Sequence, residues 1–263
     1  ASREVPVACP ACRSVHLHFG GTGTERLEDV LKAALPGARV ERLDRDTARG
    51  RGSVEALLTR FERGEIDVLL GTQMIAKGHD FPNVTLVGVL AADALLGLPD
   101  FRAGERAFQL LAQVAGRSGR GEREGQVIVQ AYYADHHAIR FACEHDFNGF
   151  AAKELAYRRA LNYPPYSVLA TVLVKDRVFE RARAQAARVG EVLRGLAGSR
   201  LQILGPAPAP LERLRGEYRV QLLVKAGSRQ EMQAALAATL AELDRKKVRV
   251  ENLVIDVDPM STL

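Results

Sequence analysis

Short apolar runs alternate with stretches of helical spacing in the first part of the chain, and this alternation limits the fold more than any other feature. The apolar runs are residues 66–70 and 86–90, and residues 38–43 and 126–130 are interpreted as two further strands. Strands that are apolar throughout are typical of a sheet that is covered on both faces. Strands separated by helices of about 10–15 residues indicate parallel pairing through crossover helices. The first part of the chain therefore predicts an α/β lobe with a parallel sheet.

The last part of the chain follows a different order. Two prolines in the segment 162–166 end a helical pattern that runs over 134–161 and breaks near Asn148-Gly149. The elements expected after them are strand 168–175, helix 180–197, strand 201–204, a proline-rich spacer over 205–210, strand 218–225, helix 229–243 and strand 248–257. This β-α-β-β-α-β order predicts a ferredoxin-like α+β domain. The predicted organisation is therefore 1–20, 21–162 and 163–263.

Composition limits the cellular compartment of the protein but does not identify a partner. The chain has 263 residues, enough for two domains that each have a core. Its net charge of +5 and its pI near 9.3 permit an acidic partner such as nucleic acid, although many soluble proteins are mildly basic. No apolar run approaches the length of a membrane span, and the three cysteines cannot form a closed disulfide framework. A cytoplasmic protein without a membrane partner is therefore predicted.

Two polar segments carry the chemistry of the α/β lobe. Residues 71–81 (Gly-Thr-Gln-Met-Ile-Ala-Lys-Gly-His-Asp-Phe) directly follow an apolar strand, and ligands of open α/β sheets bind at such strand ends. Residues 113–120 (Gln-Val-Ala-Gly-Arg-Ser-Gly-Arg) place Arg117 and Arg120 among glycines at the end of a helical pattern. A guanidinium is always charged and can bind in two-pronged fashion, so these arginines suit a developing phosphate charge. The residues alone indicate a phosphate-handling lobe.

Together the two segments resemble motifs V and VI of superfamily 2 helicases. Their amino-acid sequence, extended to Pro82, is similar to that of the PriA family of primosomal replication-restart helicases. The resemblance implies that the α/β lobe is a RecA-like second helicase lobe, incomplete at its amino end. It also implies an ATP-dependent 3′-to-5′ DNA helicase that recognises stalled or recombination-derived replication forks and initiates primosome assembly for replication restart.

The resemblance also implies roles for individual residues. Those expected at the γ-phosphate are Arg117, Arg120 and Gln113, with Arg120 as the arginine finger. Those expected to border the nucleotide, ATP with Mg²⁺, are Gly78, Asp80 and Gly116. Those expected near DNA are Thr72, Gln73 and Arg102. Phosphoryl transfer needs positioning and positive charge more than covalent help from the protein, so these residues would supply half of a composite ATP site.

A basic strand in the second domain offers another surface for nucleic acid. Arg219 and Lys225 share one face of the strand 218–225, and Arg213 and Arg215 come just before it. Such a strand edge can bind phosphates without reading sequence, and a solvated sheet face is an equal alternative. Residues 205–213 and 255–259 resemble the carboxyl-terminal domain of the family. That resemblance implies that the partners are forked and single-stranded DNA, single-strand-binding protein and other primosome proteins.

Cys9 and Cys12 form a Cys-x-x-Cys pair that can reach one zinc ion but supplies only half of its ligands. The resemblance implies that this pair is the last of four pairs that hold two zinc ions, and that the chain is cut inside the zinc-binding insertion. No complete zinc site is therefore expected within this chain. Cys143 lies in a helical pattern and is predicted to be buried. The residues interpreted as surface or capping groups are His136, His137 and His145.

The sequence leaves the activity open between two classes. It contains no Gly-x-x-x-x-Gly-Lys-Ser/Thr loop and no Asp-Glu pair, so this chain alone is expected to hydrolyse no ATP. The intact protein is expected to be a monomeric, active helicase. The alternative is a fork-binding primosome scaffold whose motor has lost activity. Another superfamily 2 translocase, such as a RecG-like fork remodeller, is a more distant alternative, which the cysteine pair before residues 23–25 disfavours.

Overall fold

A computed structural model describes residues 23–43, 51–72, 81–116, 125–197, 201–248 and 252–262. These residues divide into two compact units. The first unit contains the described residues up to Val87, together with Gly116 and residues 125–127. The second contains residues 88–115 and the described residues from 128 onward. In none of these ranges does a helix have the length and apolar character needed to cross a membrane.

The first unit is built on a parallel pair of strands. Its elements, in chain order, are α1 (Thr24–Ala34), β1 (Val40–Leu43), α2 (Arg51–Glu62) and β2 (Val68–Gly71). Strands β1 and β2 are parallel, with Val40 opposite Val68 and Leu43 opposite Gly71. This pairing confirms the prediction of an α/β lobe with parallel strands.

A small apolar cluster fixes α2 against the strand pair. Leu58 of α2 is buried beside Leu43 of β1, and Phe81 completes the cluster. The rings of Phe61 and Phe81 meet edge to face, with their centroids 5.0 Å apart. Burying these side chains removes apolar surface from water, which is the main force holding α2 on the strands. The chain is thus anchored immediately before Thr72 and again at Phe81.

Two further strands and three helices follow along the chain, and the three helices lie in the second unit. They are β3 (Leu86–Val89), α3 (Ala103–Ala115), β4 (Gln126–Val129), α4 (His137–Cys143) and α5 (Phe147–Ala160). Strands β3 and β4 form a sheet of their own, so the four predicted strands form two pairs within the described ranges. The three helices pack around Phe108 and Phe150, whose rings stack with centroids 4.1 Å apart.

The break in the predicted helix 134–161 lies earlier than the sequence indicated. Helix α4 ends at Cys143 and α5 begins at Phe147, so Asn148 and Gly149 lie inside the first turn of α5. The carboxylate of Asp146 accepts a hydrogen bond from the Gly149 amide at 2.8 Å and caps the new helix. The predicted break near the Asn-Gly pair is present at residues 144–146, and the pair itself marks the start of the second helix.

The rest of the second unit is a four-stranded antiparallel sheet with two helices on one face. Its elements are β5 (Val168–Asp176), α6 (Phe179–Ala197), β6 (Leu201–Leu214), β7 (Glu217–Ala226), α7 (Arg229–Arg245) and β8 (Leu253–Val257). The strand order is β6-β7-β5-β8, with antiparallel pairing throughout. Alternate residues of β5 and β7, including Val172 and Leu222, are fully buried with Leu193 and Met232 of the helices. The β-α-β-β-α-β order confirms the ferredoxin-like prediction.

The proline-rich segment 205–210 belongs to a strand, so its prediction as a spacer was wrong. Strand β6 runs from Leu201 to Leu214 and keeps its pairing with β7, with register shifts on either side of the Ala207–Pro208 pairs. Prolines are tolerated there because β6 is the edge strand of the sheet. Gly205 has a φ of +97°, and a Cβ on it would lie 2.8 Å from the Gln221 carbonyl oxygen. Only glycine fits this turn of the strand.

Candidate nucleic-acid interface

The β6–β7 hairpin presents two of the predicted arginines at its tip. Leu214 pairs with Glu217, which leaves Arg215 and Gly216 as a two-residue turn with φ values of +53° and +86°. Positive φ at both central positions is the type I′ geometry, in which asparagine, aspartate or glycine is preferred. Arg215 is exposed, and so is Arg213. An arginine at this position keeps a charge at the tip at some backbone cost.

One of the tip arginines, Arg213, packs against an aromatic ring. The guanidinium carbon of Arg213 lies 5.0 Å from the centroid of the Tyr218 ring, within the range of a cation–π contact. Glu212 and Glu217 flank the arginines, so the formal charges of these four residues cancel. The geometry permits a phosphate contact by Arg213 and Arg215 without a base-specific one.

Lys225 does not belong to an exposed basic surface, contrary to the prediction. Its side chain is buried, with the residue only 3 % exposed. The ammonium donates a hydrogen bond to the Leu161 carbonyl oxygen at 2.8 Å and lies 3.5 Å from the centroid of the Tyr163 ring. Burial lowers the pKa of Lys225 below its ordinary value. The residue therefore fixes the C-terminal end of α5 and has no free face for a phosphate.

The predicted strand edge is also an interior strand. Strand β7 lies between β6 and β5, so its backbone is paired on both sides. Arg219 on this strand is half-buried, and its guanidinium donates to the Leu211 carbonyl oxygen at 3.3 Å. Of the four predicted residues, the hairpin-tip arginines alone are exposed.

Arg102 lies in a short loop, residues 98–102, that leads into α3; we name it the entry loop. Its guanidinium carbon lies 4.2 Å from the centroid of the Phe101 ring, and Phe101 stacks on Tyr163 with centroids 4.9 Å apart. One guanidinium nitrogen of Arg102 is buried and has no hydrogen-bond partner among the described residues. Arg106, one turn on, is bound by Asp100 at 3.2 Å. Arg102 is half-buried, so a phosphate could meet only the part of its guanidinium that remains accessible.

An open groove of about 580 Å³ borders the entry loop. Arg140, Lys153 and Tyr157 are among the side chains that line it. Tyr157 is 50 % exposed, and the Lys153 ammonium lies 5.5 Å from the centroid of its ring. Exposed aromatic and basic side chains in a groove are the kinds that contact single-stranded nucleic acid.

Only part of the predicted motor site falls within the described residues. Thr72 is exposed and follows β2 directly, as the strand-end prediction requires. Gln113 is half-buried near the end of α3, and Gly116 is exposed just after that helix. The predicted residues that lie outside the described ranges are Cys9, Cys12, Gln73, Gly78, Asp80, Arg117 and Arg120. The roles of all these residues stay predictions.

A buried ion network joins α3, α4 and α5, and the sequence did not reveal it. Arg158 contacts Glu105 at 2.6 Å and Glu154 at 3.0 Å, and His137 meets Glu154 at 3.1 Å. The hydrogen bonds and charges of the two glutamates raise the pKa of Arg158 against the opposing effect of burial. The spacing of Glu154 and Arg158, four residues apart on a helix, was the one signal available. His137 is thus an interior residue, and its interpretation as a surface group was wrong.

His136 caps α4, as the sequence interpretation allowed. Its Nδ1 accepts a hydrogen bond from the Ala138 amide at 3.2 Å, which requires an unprotonated nitrogen. Burial lowers the pKa of His136, and the nearby His137 lowers it further, while Glu154 opposes the shift. The folded chain therefore resists protonation of this ring more than the unfolded chain does.

Acidification is expected to destabilise the second unit through His136. As pH falls below 6.5, the ordinary pKa of histidine, the unfolded chain takes up the proton first, and stability is lost until the folded pKa is passed. His136→Asn keeps a cap acceptor that does not titrate, so the variant should lose less stability between pH 7.5 and pH 5. Urea midpoints at the two pH values measure this. An unchanged pH dependence in the variant would exclude His136 as the titrating group.

The described part of the chain adds no support to the predicted zinc site. Within it, no three His, Cys, Asp or Glu side chains are grouped so that they could hold a metal ion. Cys143 is exposed on α4, so its prediction as a buried residue was wrong. Cys9 and Cys12 stay a predicted half of a zinc site.

Two family models match the chain. The one described as "Helicase conserved C-terminal domain" matches residues 17–122, and the one described as "Primosomal protein N C-terminal domain" matches residues 159–260. They cover the two parts that the sequence patterns separated, with the helices α4 and most of α5 between them.

Several relatives that share the same name match almost the whole chain. The chain is 45 % identical over 255 residues to "Replication restart protein PriA" of Bacillus subtilis (strain 168), which covers 97 % of this chain and 31 % of the relative. The protein of the same name from Synechocystis sp. is 42 % identical, with 97 % of this chain and 30 % of the relative covered. The one from Haemophilus influenzae is 39 % identical, with 98 % and 35 % covered. The chain thus spans about a third of the length of these relatives.

Proposed function

Because the chain belongs to the PriA family of replication restart proteins, we propose that it is the second motor lobe and the DNA-binding end of an ATP-dependent 3′-to-5′ DNA helicase. The complete protein would recognise stalled or recombination-derived replication forks and initiate primosome assembly. The observation that carries the proposal is a similarity that runs unbroken through the Thr72 segment, the arginine segment and the ferredoxin-like domain. A protein that shared only the lobe would share only its motor.

ATP with Mg²⁺ would supply the energy for movement, and this chain would supply positive charge to it. In the proposal Arg117 and Arg120 face the γ-phosphate, while Gly78 and Asp80 border the nucleotide. Thr72, at the exposed end of β2, would bind DNA backbone and couple it to the nucleotide through residues 73–80. Closing and opening of the cleft with each ATP would move one lobe relative to the other along a strand.

The DNA-facing part of the proposal relies on charge without sequence readout. The exposed Arg213 and Arg215 at the hairpin tip and the half-exposed Arg102 of the entry loop support it. Contacts to phosphate position a protein on any sequence, as a protein that acts at forks requires. We further propose single-strand-binding protein and other primosome proteins as partners, a monomer as the working state, and the cytoplasm as the location. Zinc held in part by Cys9 and Cys12 belongs to the same proposal.

Hydrolysis and unwinding assays on the complete protein test the proposal. We expect ATP hydrolysis that rises with forked or single-stranded DNA, and strand separation only on substrates with a 3′ single-stranded track. Fork binding without DNA-stimulated hydrolysis would favour the scaffold alternative. Hydrolysis that is insensitive to DNA would contradict both. This chain alone is expected to hydrolyse no ATP, since the phosphate-binding loop is not in its sequence.

Replacement of Arg215 is expected to separate DNA binding from stability. Arg215→Asn removes one positive charge from the hairpin tip while providing a residue that the type I′ turn prefers. We expect DNA affinity to fall about 3–10-fold at low salt, and the slope of log affinity against log salt to fall by about 1. The urea midpoint should stay the same or rise.

Arg183 provides the matched control for that variant. It is an exposed arginine on α6, with 64 % of its side chain accessible, and among the residues that the structure describes it pairs with Glu180 of the same helix. Arg183→Gln removes the same charge without touching the hairpin, so its salt slope should equal that of the wild type. Equal losses in the two variants would mean that net charge alone drives binding.

A further inference from the structure

Asp100, in the middle of the entry loop, is buried by a segment that is distant in sequence. Its side chain is fully inaccessible to solvent. The residues around it, 260–262, follow β8, and we name them the β8 extension. Thr262 is itself 5 % exposed, so the contact is an interior one. A carboxylate is costly to bury unless its oxygens are hydrogen-bonded, and the partners of Asp100 therefore show what it does.

The two carboxylate oxygens of Asp100 have separate tasks. Oδ1 accepts a hydrogen bond from the Arg102 amide at 2.9 Å, and this bond shapes the turn into α3. Oδ2 accepts hydrogen bonds from the Ser261 hydroxyl at 3.1 Å and from the Thr262 amide at 3.2 Å. Oδ2 also lies 3.2 Å from the Arg106 guanidinium. One oxygen thus serves the loop itself, and the other binds the loop to the β8 extension.

Further hydrogen bonds strengthen the same junction. The Thr262 hydroxyl donates to the Pro99 carbonyl oxygen at 3.2 Å. Arg106 donates to the Met260 carbonyl oxygen at 2.9 Å. Burial alone would raise the pKa of Asp100, but the Arg102 and Thr262 amides, with help from Arg106, hold it below its ordinary value. The carboxylate is therefore charged at neutral pH, and its bonds to N–H groups are of the strong, charge-assisted kind.

We infer that Asp100 is a positioning residue, and that its Oδ2 contacts with the β8 extension hold the entry loop in the orientation from which Arg102 meets DNA phosphate. The inference rests on the proposed function. The physical reason is that Arg102 lies two residues from the carboxylate and is half-exposed, and its guanidinium lies over the ring of Phe101, another residue of the same loop. Without the β8 extension, the loop would keep its local turn but lose its fixed direction. Residues at the far end of the ferredoxin-like domain would thus set the DNA affinity of the motor lobe.

Asp100→Asn separates the two tasks of the carboxylate. The amide oxygen can still accept from the Arg102 amide, whereas an NH₂ group in place of Oδ2 would face the Thr262 amide and the Arg106 guanidinium, donor against donor. The opposite side of the contact is tested by Ser261→Ala with Thr262→Val, which removes both hydroxyl donors at nearly constant volume. Met260→Ala is the matched control, because the Met260 side chain is exposed and only its carbonyl takes part.

Hydrogen exchange of the complete protein tests whether the junction exists. Both the Asp100→Asn variant and the double variant of the β8 extension should speed exchange at residues 98–106, and Met260→Ala should not. A double variant that leaves exchange at 98–106 unchanged would overturn the inference. This readout needs neither ATP nor DNA, so it is independent of the proposed function.

DNA-stimulated ATP hydrolysis tests the consequence. The DNA concentration for half-maximal stimulation should rise about tenfold in Asp100→Asn, as expected for loss of a hydrogen-bonded contact to charge, while the rate at saturating DNA is kept. A lowered maximal rate with an unchanged half-maximal concentration would refute the positioning role. Absence of stimulation in the wild type would refute the proposed function, and with it the DNA-facing part of the inference. The exchange comparison would then still decide whether the β8 extension holds the loop.

Discussion

Arg120→Ala in the complete protein is expected to lower DNA-stimulated ATP hydrolysis by about 10³-fold or more, with DNA binding nearly unchanged. The physical reason is the loss of a fixed positive charge where negative charge develops on the γ-phosphate oxygens. The expectation rests on the match of residues 113–120 to motif VI. Steady-state hydrolysis at saturating DNA, with anisotropy for binding, measures the two quantities separately.

Arg120→Lys is the informative companion variant. Lysine keeps the charge but loses the two-pronged fork, so hydrolysis should be intermediate between the wild type and Arg120→Ala. Turnover that stays at the wild-type level in Arg120→Ala would remove this residue from the site. Equal losses of hydrolysis and DNA binding would indicate instead that the variant has damaged the lobe.

Arg158→Ala is expected to destabilise the second unit by about 3–5 kcal/mol, because it leaves the buried carboxylate of Glu154 without its arginine partner. Arg158 and Glu154 have side chains that are only 13 % and 11 % accessible, so water can replace little of the lost interaction. Urea unfolding of this chain, followed by circular dichroism, gives the free energy of unfolding. Pairing the change with Glu154→Gln should recover part of the loss, since the uncompensated charge is its main cause.

Arg140→Ala provides the control for that prediction. Arg140 pairs with Glu144 at 3.9 Å on the same part of the fold, but its side chain is 57 % accessible. An exposed pair of this kind is worth about 0–1 kcal/mol. Similar losses in the two variants would mean that the network around Glu154 contributes no more than a surface ion pair does.

Local patterns predicted the ferredoxin-like domain because its core follows simple periods. Alternate residues of β5 and β7, such as Val172 and Leu222, lie on the buried face of the sheet. Leu193 and Leu236 lie on the apolar stripes of α6 and α7 that pack against it. Burial of one face forces that alternation, so sequence alone reveals the strands and their order. The family resemblance supplied the identity of the motor segments, which the periods alone could not supply.

The errors arose where distant residues decide the outcome. Lys225 appeared to be one of a row of exposed basic residues, yet its ammonium binds a carbonyl 64 residues away in sequence. Pro206, Pro208 and Pro210 looked like a spacer, but an edge strand leaves their missing N–H groups without consequence. The link from Asp100 to the β8 extension gave no signal at all, because Ser261 and Thr262 are more than 160 residues away. Spacing along the chain carries none of this information.

The most direct test of the central claim is an anisotropy titration of this chain with forked, single-stranded and blunt duplex DNA at two salt concentrations. We predict binding that weakens with salt and favours the fork, because exposed arginines on the β6–β7 hairpin and Arg102 in the entry loop contact phosphates. Arg215→Asn should lower it, and Arg183→Gln should not. Failure to bind any of the three substrates at low salt would contradict the claim that these residues form the DNA-binding end of a replication restart helicase.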